Sequence, residues 1–147
     1  IATTGHEVGT TTGRRRRVGW NDALPLRYAV QLNGVSSIML NKLDVLSGIP
    51  EILLCVAYEI DGKRVERWPS STAELSRATP IYERFPGWSE PIHNVRALAD
   101  LPENARRYVT ALEELAGAPI VLLSVGPERT QTIERAWRPM RRSVNRP

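Results

Sequence analysis

The stretch E51-I-L-L-C-V-A-Y-E-I60 gives the strongest β-strand signal in the 147-residue chain. Its aliphatic, β-branched and aromatic residues favour a pleated, buried strand. Asp61-Gly62 follows directly and is typical of a two-residue hairpin turn. Beyond the turn, Val65 lies among the alternating polar residues of K63-R-V-E-R-W68. The stretch therefore predicts a β-hairpin that begins on a buried strand.

A helix is predicted on the amino-terminal side of this hairpin. Asn21-Asp22 is typical of a helix N-cap, and Asn33-Gly34 is typical of a helix end. Between these signals, Leu24, Tyr28 and Leu32, with Val30 nearby, give helical spacing. V35-S-S-I-M-L40 then has the length and apolar character of a strand.

Further elements are predicted on the carboxyl-terminal side. Residues 102–116 carry an apolar stripe at helical spacing, and Gly117 follows it as a stop signal. The continuous apolar run at 120–125 is typical of a buried parallel strand. The remaining predictions are a short helix capped by Ser71 or Thr72 and ending at Leu75, and an edge strand at 80–86 bounded by prolines. This order of elements predicts a mixed α/β fold.

V8-G-T-T-T-G-R-R-R-R17 predicts an anion-binding loop. Its two glycines allow a ligand to approach the backbone, and its threonines supply hydroxyl groups. Four consecutive arginines add planar guanidinium groups that can bind carboxylate or phosphate with two hydrogen bonds each. The stretch is not a Walker loop, because no G-K-[ST] follows the glycines. A solvated basic run or a nucleic-acid patch is the alternative.

N41-K-L-D44 follows the predicted strand 35–40 and matches the pattern with which small GTPases read guanine. In such a site a carboxylate accepts two hydrogen bonds that adenine cannot donate, so the wrong base leaves polar groups unpaired. The alternative is an ordinary polar strand end. The turn Ser124-Val125-Gly126-Pro127 follows the apolar strand, where open α/β sheets place their ligands, although it can equally be a simple turn.

Composition and charge limit the possible classes of protein. The chain is 41% apolar and 24% charged, which is typical of a soluble globular domain, and no run approaches the roughly 20 apolar residues of a membrane span. Cys55 is the single cysteine and lies in the apolar stretch, which predicts a buried, inert thiol and a reducing, cytoplasmic compartment. His6 and His93 lie far apart in sequence, so no metal cluster is predicted.

The net charge of +4 resides in the last fourteen residues. They contain five arginines against Glu134, which leaves 15 basic and 15 acidic residues in the rest of the chain. A neutral body with one local arginine cluster favours a small anionic ligand over a long polyanion.

Taken together, these stretches resemble the C-terminal third of the adenylosuccinate synthetase family. The matching stretches include G5-H-E-V-G-T-T-T-G-R-R-R-R-V-G-W-N-D22, L26-R-Y-A-V30, N41-K-L-D-V-L46, C55-V-A-Y58, D100-L-P-E-N-A-R-R-Y-V109 and S124-V-G-P-E-R-T-Q-T-I133. The resemblance implies the C-terminal part of a P-loop-NTPase-like mixed sheet with flanking helices and a β-hairpin. It covers residues 1–133 as one domain portion and leaves 134–147 as a basic tail, expected to be disordered. Val8 and Val18 depart from the residues common in the family.

The resemblance also implies an activity, the GTP-dependent ligation of L-aspartate to IMP, which gives adenylosuccinate, GDP and phosphate. Thr11, Thr12 and Arg14 would hold the aspartate carboxylates, with Arg14 also against the IMP ribose, and Arg16 would meet both aspartate and GTP. The residues assigned to aspartate and IMP are Thr10, Thr11, Thr12, Gly13, Arg14, Arg15 and Arg16. The residues assigned to GTP are Arg16, Lys42, Leu43, Asp44, Ser124, Val125 and Gly126.

The family's phosphate-binding loop, catalytic residues and magnesium ligands are expected upstream of this segment. No catalytic residue and no metal ligand is therefore assigned here, and the segment alone is expected to be inactive. The resemblance further implies a cytoplasmic homodimer with GTP, IMP and L-aspartate as its small-molecule partners, no membrane and no nucleic acid. The alternatives are a non-catalytic module that binds RNA or another anion through the arginine cluster and the tail, and a truncated product that folds poorly.

Overall fold

The computed structural model describes residues 1–136, and its strands are divided between two mixed sheets. The first sheet contains β1 (Asn21–Asp22), β3 (Glu51–Ile60), β4 (Lys63–Val65) and β5 (Thr79–Pro86), and the second contains β2 (Ile38–Leu40), β6 (Ile120–Ser124) and β7 (Thr132–Glu134). The helices are α1 (Ala23–Asn33), α2 (Thr72–Leu75) and α3 (Glu103–Ala116), with 3-10 turns at Leu43–Leu46 and Leu98–Asp100. The predicted mixed α/β class is confirmed.

Strand β3 organises the first sheet, as its sequence predicts. It pairs in parallel with β1 and antiparallel with both β4 and β5. Asp61 and Gly62 form the hairpin turn to β4, and both have positive φ angles. Strand β5 pairs only with β3 among the described residues, which confirms the edge position that its prolines predict.

In the second sheet β6 lies in the centre. It pairs in parallel with β2, with Leu40 opposite Leu123, and antiparallel with β7. The parallel pairing places the carboxyl ends of β2 and β6 at one edge of the sheet. The segments that follow these two strands are Asn41–Asp44 and Val125–Gly126, so the fold brings two of the predicted binding segments together.

One cluster of buried side chains connects the two sheets through α3. Ile52 of β3, Leu112 of α3 and Leu123 of β6 all belong to it and are at most 1% exposed. Tyr108 adds aromatic contacts, with its ring centroid 5.8 Å from that of Phe85. The cluster fixes the sheets relative to each other, and with them the position of the candidate site.

Helix α1 begins and ends where its sequence predicts, and it buries Leu24 and Val30 of the predicted spacing but not Tyr28 and Leu32. The Asp22 side chain accepts a hydrogen bond from the Leu24 amide at 3.0 Å, and Gly34 ends the helix in the left-handed conformation. Leu24 is buried, whereas Tyr28 and Leu32 are 47% and 68% exposed. The helix packs against α3 and β3 through Ala23, Leu24 and Val30. In this orientation the side chains of Tyr28 and Leu32 face solvent.

The start of the arginine-rich tail is part of the second sheet. Glu134 belongs to β7, and the Arg135 amide donates to the Val121 carbonyl at 2.8 Å. The carboxylate of Glu113, which is 8% exposed, accepts from Arg135 Nη1 and from the Ile120 amide, both at 2.7 Å. The expected domain boundary at 133/134 therefore falls within a strand. The remainder of the predicted disordered tail, from residue 137 onwards, lies outside the described residues.

Replacing Arg135 by alanine should destabilise the fold, because it leaves the Glu113 carboxylate buried without its cation. Breaking a buried ion pair costs about 3–5 kcal/mol, and we expect roughly 2–3 kcal/mol here because the Arg135 side chain is 27% exposed. Urea unfolding measures the free energy of unfolding directly. Arg129→Ala, on an exposed turn, is the matched control. Equal stability of the two variants would contradict the assigned role of the pair.

Candidate functional site

The predicted anion-binding loop is a tight hairpin with a hydrogen-bonded stem. The Gly9 amide donates to the Arg14 carbonyl at 2.8 Å, and the Arg16 amide donates to the Glu7 carbonyl at 2.9 Å. Gly13 has a φ of 64°, a left-handed angle that favours glycine. At Gly9 a Cβ atom would lie 3.0 Å from Thr12 Oγ1, so a side chain there would make the exposed Thr12 hydroxyl shift by a few tenths of an ångström.

Side chains at the tip of this hairpin are open to solvent. Every residue from Thr10 to Arg17 is exposed. Among them, Arg16 is the one that forms an ion pair with another described residue, through Nη1 at 3.3 Å from Glu7 Oε2. The hydroxyl of Thr12 accepts the Arg14 amide at 3.4 Å. Most hydrogen-bond donors of the predicted aspartate site thus face water in this conformation.

The predicted guanine segment begins with a lysine in an unusual backbone conformation. Lys42 has a φ of 61°, which is left-handed and uncommon for a residue with a side chain. Its ammonium group donates to the Gly5 carbonyl at 2.8 Å and to the carboxylate of Glu7. Asp44 follows in the first turn of the 3-10 helix. These contacts join the start of the chain to the end of β2.

Hydrogen bonds also connect the guanine segment to the turn after β6. The Lys42 amide donates to Ser124 Oγ at 3.4 Å, and the Ser124 hydroxyl donates to the Gly126 carbonyl at 3.2 Å. At Gly126 a Cβ atom would lie 2.3 Å from Gln131 Oε1, so a larger residue there would displace the end of the Gln131 side chain. The structure therefore places Lys42 beside Ser124, and Glu7 connects Lys42 to Arg16.

Asp44 holds an acceptor that no described residue satisfies. Its Oδ1 atom is buried and has no hydrogen-bond partner among the described residues. Such an atom carries a free-energy cost unless a donor reaches it, and unpaired buried acceptors are uncommon in proteins. An oxygen of this kind at a strand end is suited to a ligand that brings N–H groups.

A cavity of about 300 Å³ lies next to these segments. Its lining includes Gly5, Glu7, Trp20, Asn21, Leu43, Lys42 and Tyr108. Asp44, the tip threonines and Ser124–Gly126 are not part of this lining. The cavity and the predicted guanine segment thus share Lys42 and Leu43, and the other residues predicted to bind guanine lie outside the cavity lining.

Sequence reasoning missed Glu7. Its carboxylate bridges Lys42 and Arg16, and its side chain is 17% exposed while those of its partners are 50% and 58% exposed. The hydrogen bonds from Lys42, and then those from Arg16, hold the pKa of Glu7 below its usual value. One sequence signal was present, because Glu7 is the single acidic residue among the first 21 and precedes four arginines.

Other reactive groups lie away from this site. Cys55 is buried, and burial together with the nearby Asp22 carboxylate raises the pKa of its thiol to about 11. In residues 1–136, no group of three or more His, Cys, Asp and Glu side chains is arranged to hold a metal ion. No helix in residues 1–136 is long enough and apolar enough to cross a membrane.

The fold defines an α/β protein of P-loop-NTPase-like architecture. Polar segments meet where two parallel strands end, which is the usual position of ligands in this class. A structure titled "fully ligated Adenylosuccinate synthetase" from Plasmodium falciparum matches with a TM-score of 0.86 and 42% identity, over 90% of this chain and 32% of that one.

Sequence comparisons give the family. The family model described as "Adenylosuccinate synthetase" matches residues 1–133, so the chain belongs to the adenylosuccinate synthetase family. Curated relatives of that name from Streptococcus gordonii and Streptococcus sanguinis are each 51% identical, over 93% and 90% of this chain. The chain spans about a third of their length, at 32% and 31%.

Native Cys55 should resist alkylation. A pKa of about 11 leaves about one thiol in ten thousand ionised at pH 7, and the thiolate is the reactive form. We expect iodoacetamide to label the folded chain far more slowly than the urea-unfolded chain. Labelling of the folded chain should accelerate as the pH rises towards 11. Equal rates for the folded and unfolded chain at pH 7 would contradict a buried thiol.

Proposed function

We propose that this chain supplies the guanine-nucleotide pocket and the aspartate loop of an adenylosuccinate synthetase. The whole reaction would be the GTP-dependent ligation of L-aspartate to IMP, which gives adenylosuccinate, GDP and phosphate in AMP synthesis. The family name, adenylosuccinate synthetase, denotes a ligase of purine biosynthesis. The observation that carries the proposal is the buried Oδ1 of Asp44, which lies in the 3-10 turn after β2 and has no hydrogen-bond partner among the described residues.

Guanine supplies the donors that this carboxylate lacks. Its N1–H and its exocyclic amine point in the same direction, so one carboxylate can accept both hydrogen bonds. Adenine presents an acceptor at N1 and fails at this position, which leaves the carboxylate buried and unpaired. The methylene stem of Lys42 would lie along the base, with Leu43 beside it. The amides and carbonyls of Ser124, Val125 and Gly126 would meet another edge of the purine.

The hairpin loop would bind the second substrate. L-aspartate carries two carboxylates, and the tip offers hydroxyl and amide donors from Thr10, Thr11, Thr12 and Gly13. The guanidinium groups of Arg14 and Arg15 add charge-assisted hydrogen bonds. Arg16 pairs with Glu7, which also pairs with Lys42, and this link supports the proposal that Arg16 meets both aspartate and the nucleotide. The exposed tip suits a loop that closes on its ligand.

The chemical step itself would need groups that these residues do not provide. Phosphoryl transfer requires neutralisation of charge on the phosphate, commonly by a magnesium ion and cationic side chains. Among the described residues, no group of three or more His, Cys, Asp and Glu side chains is arranged to hold a metal ion. We propose that magnesium acts with the rest of the synthetase, in a cytoplasmic homodimer.

A binding assay on the chain tests the guanine site. Asp44→Asn should weaken GDP binding about tenfold to a hundredfold, because the amide cannot accept both guanine donors. The same variant should gain relative affinity for xanthosine diphosphate, whose 2-oxo group accepts from the new amide. Isothermal titration measures both ligands. Asp100→Asn, at an exposed position, is the matched control and should change neither affinity.

The alternative function, an RNA-binding or anion-binding module, predicts a different binding result. The exposed Arg14–Arg17 run is the observation that favours an RNA-binding or anion-binding module. Such a module would bind an unrelated RNA with a steep dependence on salt and would show no preference for guanine. Wild-type chain that binds ADP as well as GDP, with that salt dependence, would overturn the guanine pocket.

We also expect the purified 147-residue chain to form no adenylosuccinate from GTP, IMP and L-aspartate. The reason is that the chain spans about a third of its relatives' length, and phosphoryl transfer needs a metal ion in addition to cationic side chains such as the arginines of the loop. A chromatographic assay of the product measures this, with a full-length relative as the positive control. Product formed by the chain alone would contradict the proposed division of roles.

A further inference from the structure

We propose that Glu7 is a positioning residue that couples the guanine site to the aspartate loop. One carboxylate binds the lysine of the first site and an arginine of the second. This inference rests on the proposed function for the identity of the two ligands, while the coupling itself is a property of the described residues. Nothing in the motifs read from the sequence assigns a role to Glu7.

The geometry gives each cation its own oxygen. Lys42 Nζ binds Oε1 of Glu7, and Arg16 Nη1 lies 3.3 Å from Oε2. Each partner is held a second time, since the Arg16 amide donates to the Glu7 carbonyl at 2.9 Å and Lys42 Nζ donates to the Gly5 carbonyl at 2.8 Å. A change in position of either cation therefore reaches the other through a short chain of hydrogen bonds.

The Glu7 carboxylate offsets the positive charges that lie close together at this site. Arg14 to Arg17 and Lys42 carry five positive charges, and Glu7 is the acidic residue that pairs with two of them. Without its carboxylate, Arg16 and Lys42 would face each other as like charges. The Glu7 side chain is 17% exposed, whereas those of Lys42 and Arg16 are 50% and 58% exposed, so water partly screens both ion pairs.

Backbone strain lies at both ends of the bridge. His6 and Lys42 have positive φ angles of 49° and 61°, and each is adjacent to or part of the Glu7–Lys42 contact. Such angles persist where surrounding contacts hold them. A base bound along the Lys42 stem would stabilise Lys42 in this conformation and so keep Glu7 in place. Glu7 would then hold the stem of the loop through Arg16.

Hydrogen exchange measured by mass spectrometry tests the coupling, with and without GDP. In the ligand-free chain, Glu7→Gln should increase exchange at the loop stem, residues 9–16, about fivefold, the effect expected for losing a partly screened ion pair. Glu66→Gln is the matched control, because it removes the exposed Arg64–Glu66 pair and should leave the loop unchanged. Glutamine has the shape of glutamate, so a role limited to packing predicts no increase.

Replacing Glu7 by aspartate separates the effect of the negative charge from the effect of side-chain shape. Glu7→Asp keeps the negative charge on a shorter side chain, so it should restore part of the protection that glutamine loses. The same three variants are then compared with GDP. In the wild-type chain GDP should slow exchange both at 41–46 and at 9–16, whereas in Glu7→Gln it should slow exchange at 41–46 alone.

The outcomes distinguish the two proposals. No slowing by GDP at 41–46 in the wild-type chain would contradict the proposed function, and the ligand-free comparison would still decide whether Glu7 holds the loop. Slowing by GDP at both segments in Glu7→Gln would overturn the coupling and leave the guanine site intact. Ligand-free exchange that is identical in Glu7→Gln and wild type would also overturn it.

Discussion

Because β2 and β6 pair in parallel, their carboxyl ends lie side by side, and the candidate site depends on that constraint. The pairing places Lys42 next to Ser124, and the hydrogen bond between them closes the gap between two segments separated by 82 residues in sequence. Buried side chains of α3 hold this sheet against the first one. A strand-order change or a register slip here would separate the residues proposed to read one base.

Electrostatics determines how the rest of the site is arranged around that edge. The buried carboxylate oxygen of Asp44 lacks a partner among the described residues, whereas the carboxylate of Glu7 has two cations. These two acidic residues thus take opposite roles, one suited to an incoming donor and the other to holding the local cations. A third carboxylate, that of Glu113, anchors Arg135 and fixes β7 beside β6.

Local signals explain how much of the fold the sequence predicts. The N-cap at Asp22, the stop at Gly34, the Asp61-Gly62 turn and the ten-residue strand β3 all depend on residues close in the chain, and all are confirmed. Tertiary packing decided the rest. It turned Tyr28 and Leu32 of α1 outward, and it recruited Glu134 and Arg135 into the sheet. Glu7 was missed because its partners lie 9 and 35 residues away in sequence, and no local sequence pattern indicates such a bridge.

The central claim is that the two strand ends form one guanine-binding edge. Titration of the isotopically labelled chain with GDP, followed by NMR of the backbone amides, tests it most directly. The account predicts that the amides of 42–46 and of 124–126 shift together, with one affinity, and that inosine diphosphate binds more weakly because it lacks the 2-amino donor. Shifts confined to one of the two segments, or equal affinities for the two nucleotides, would contradict it.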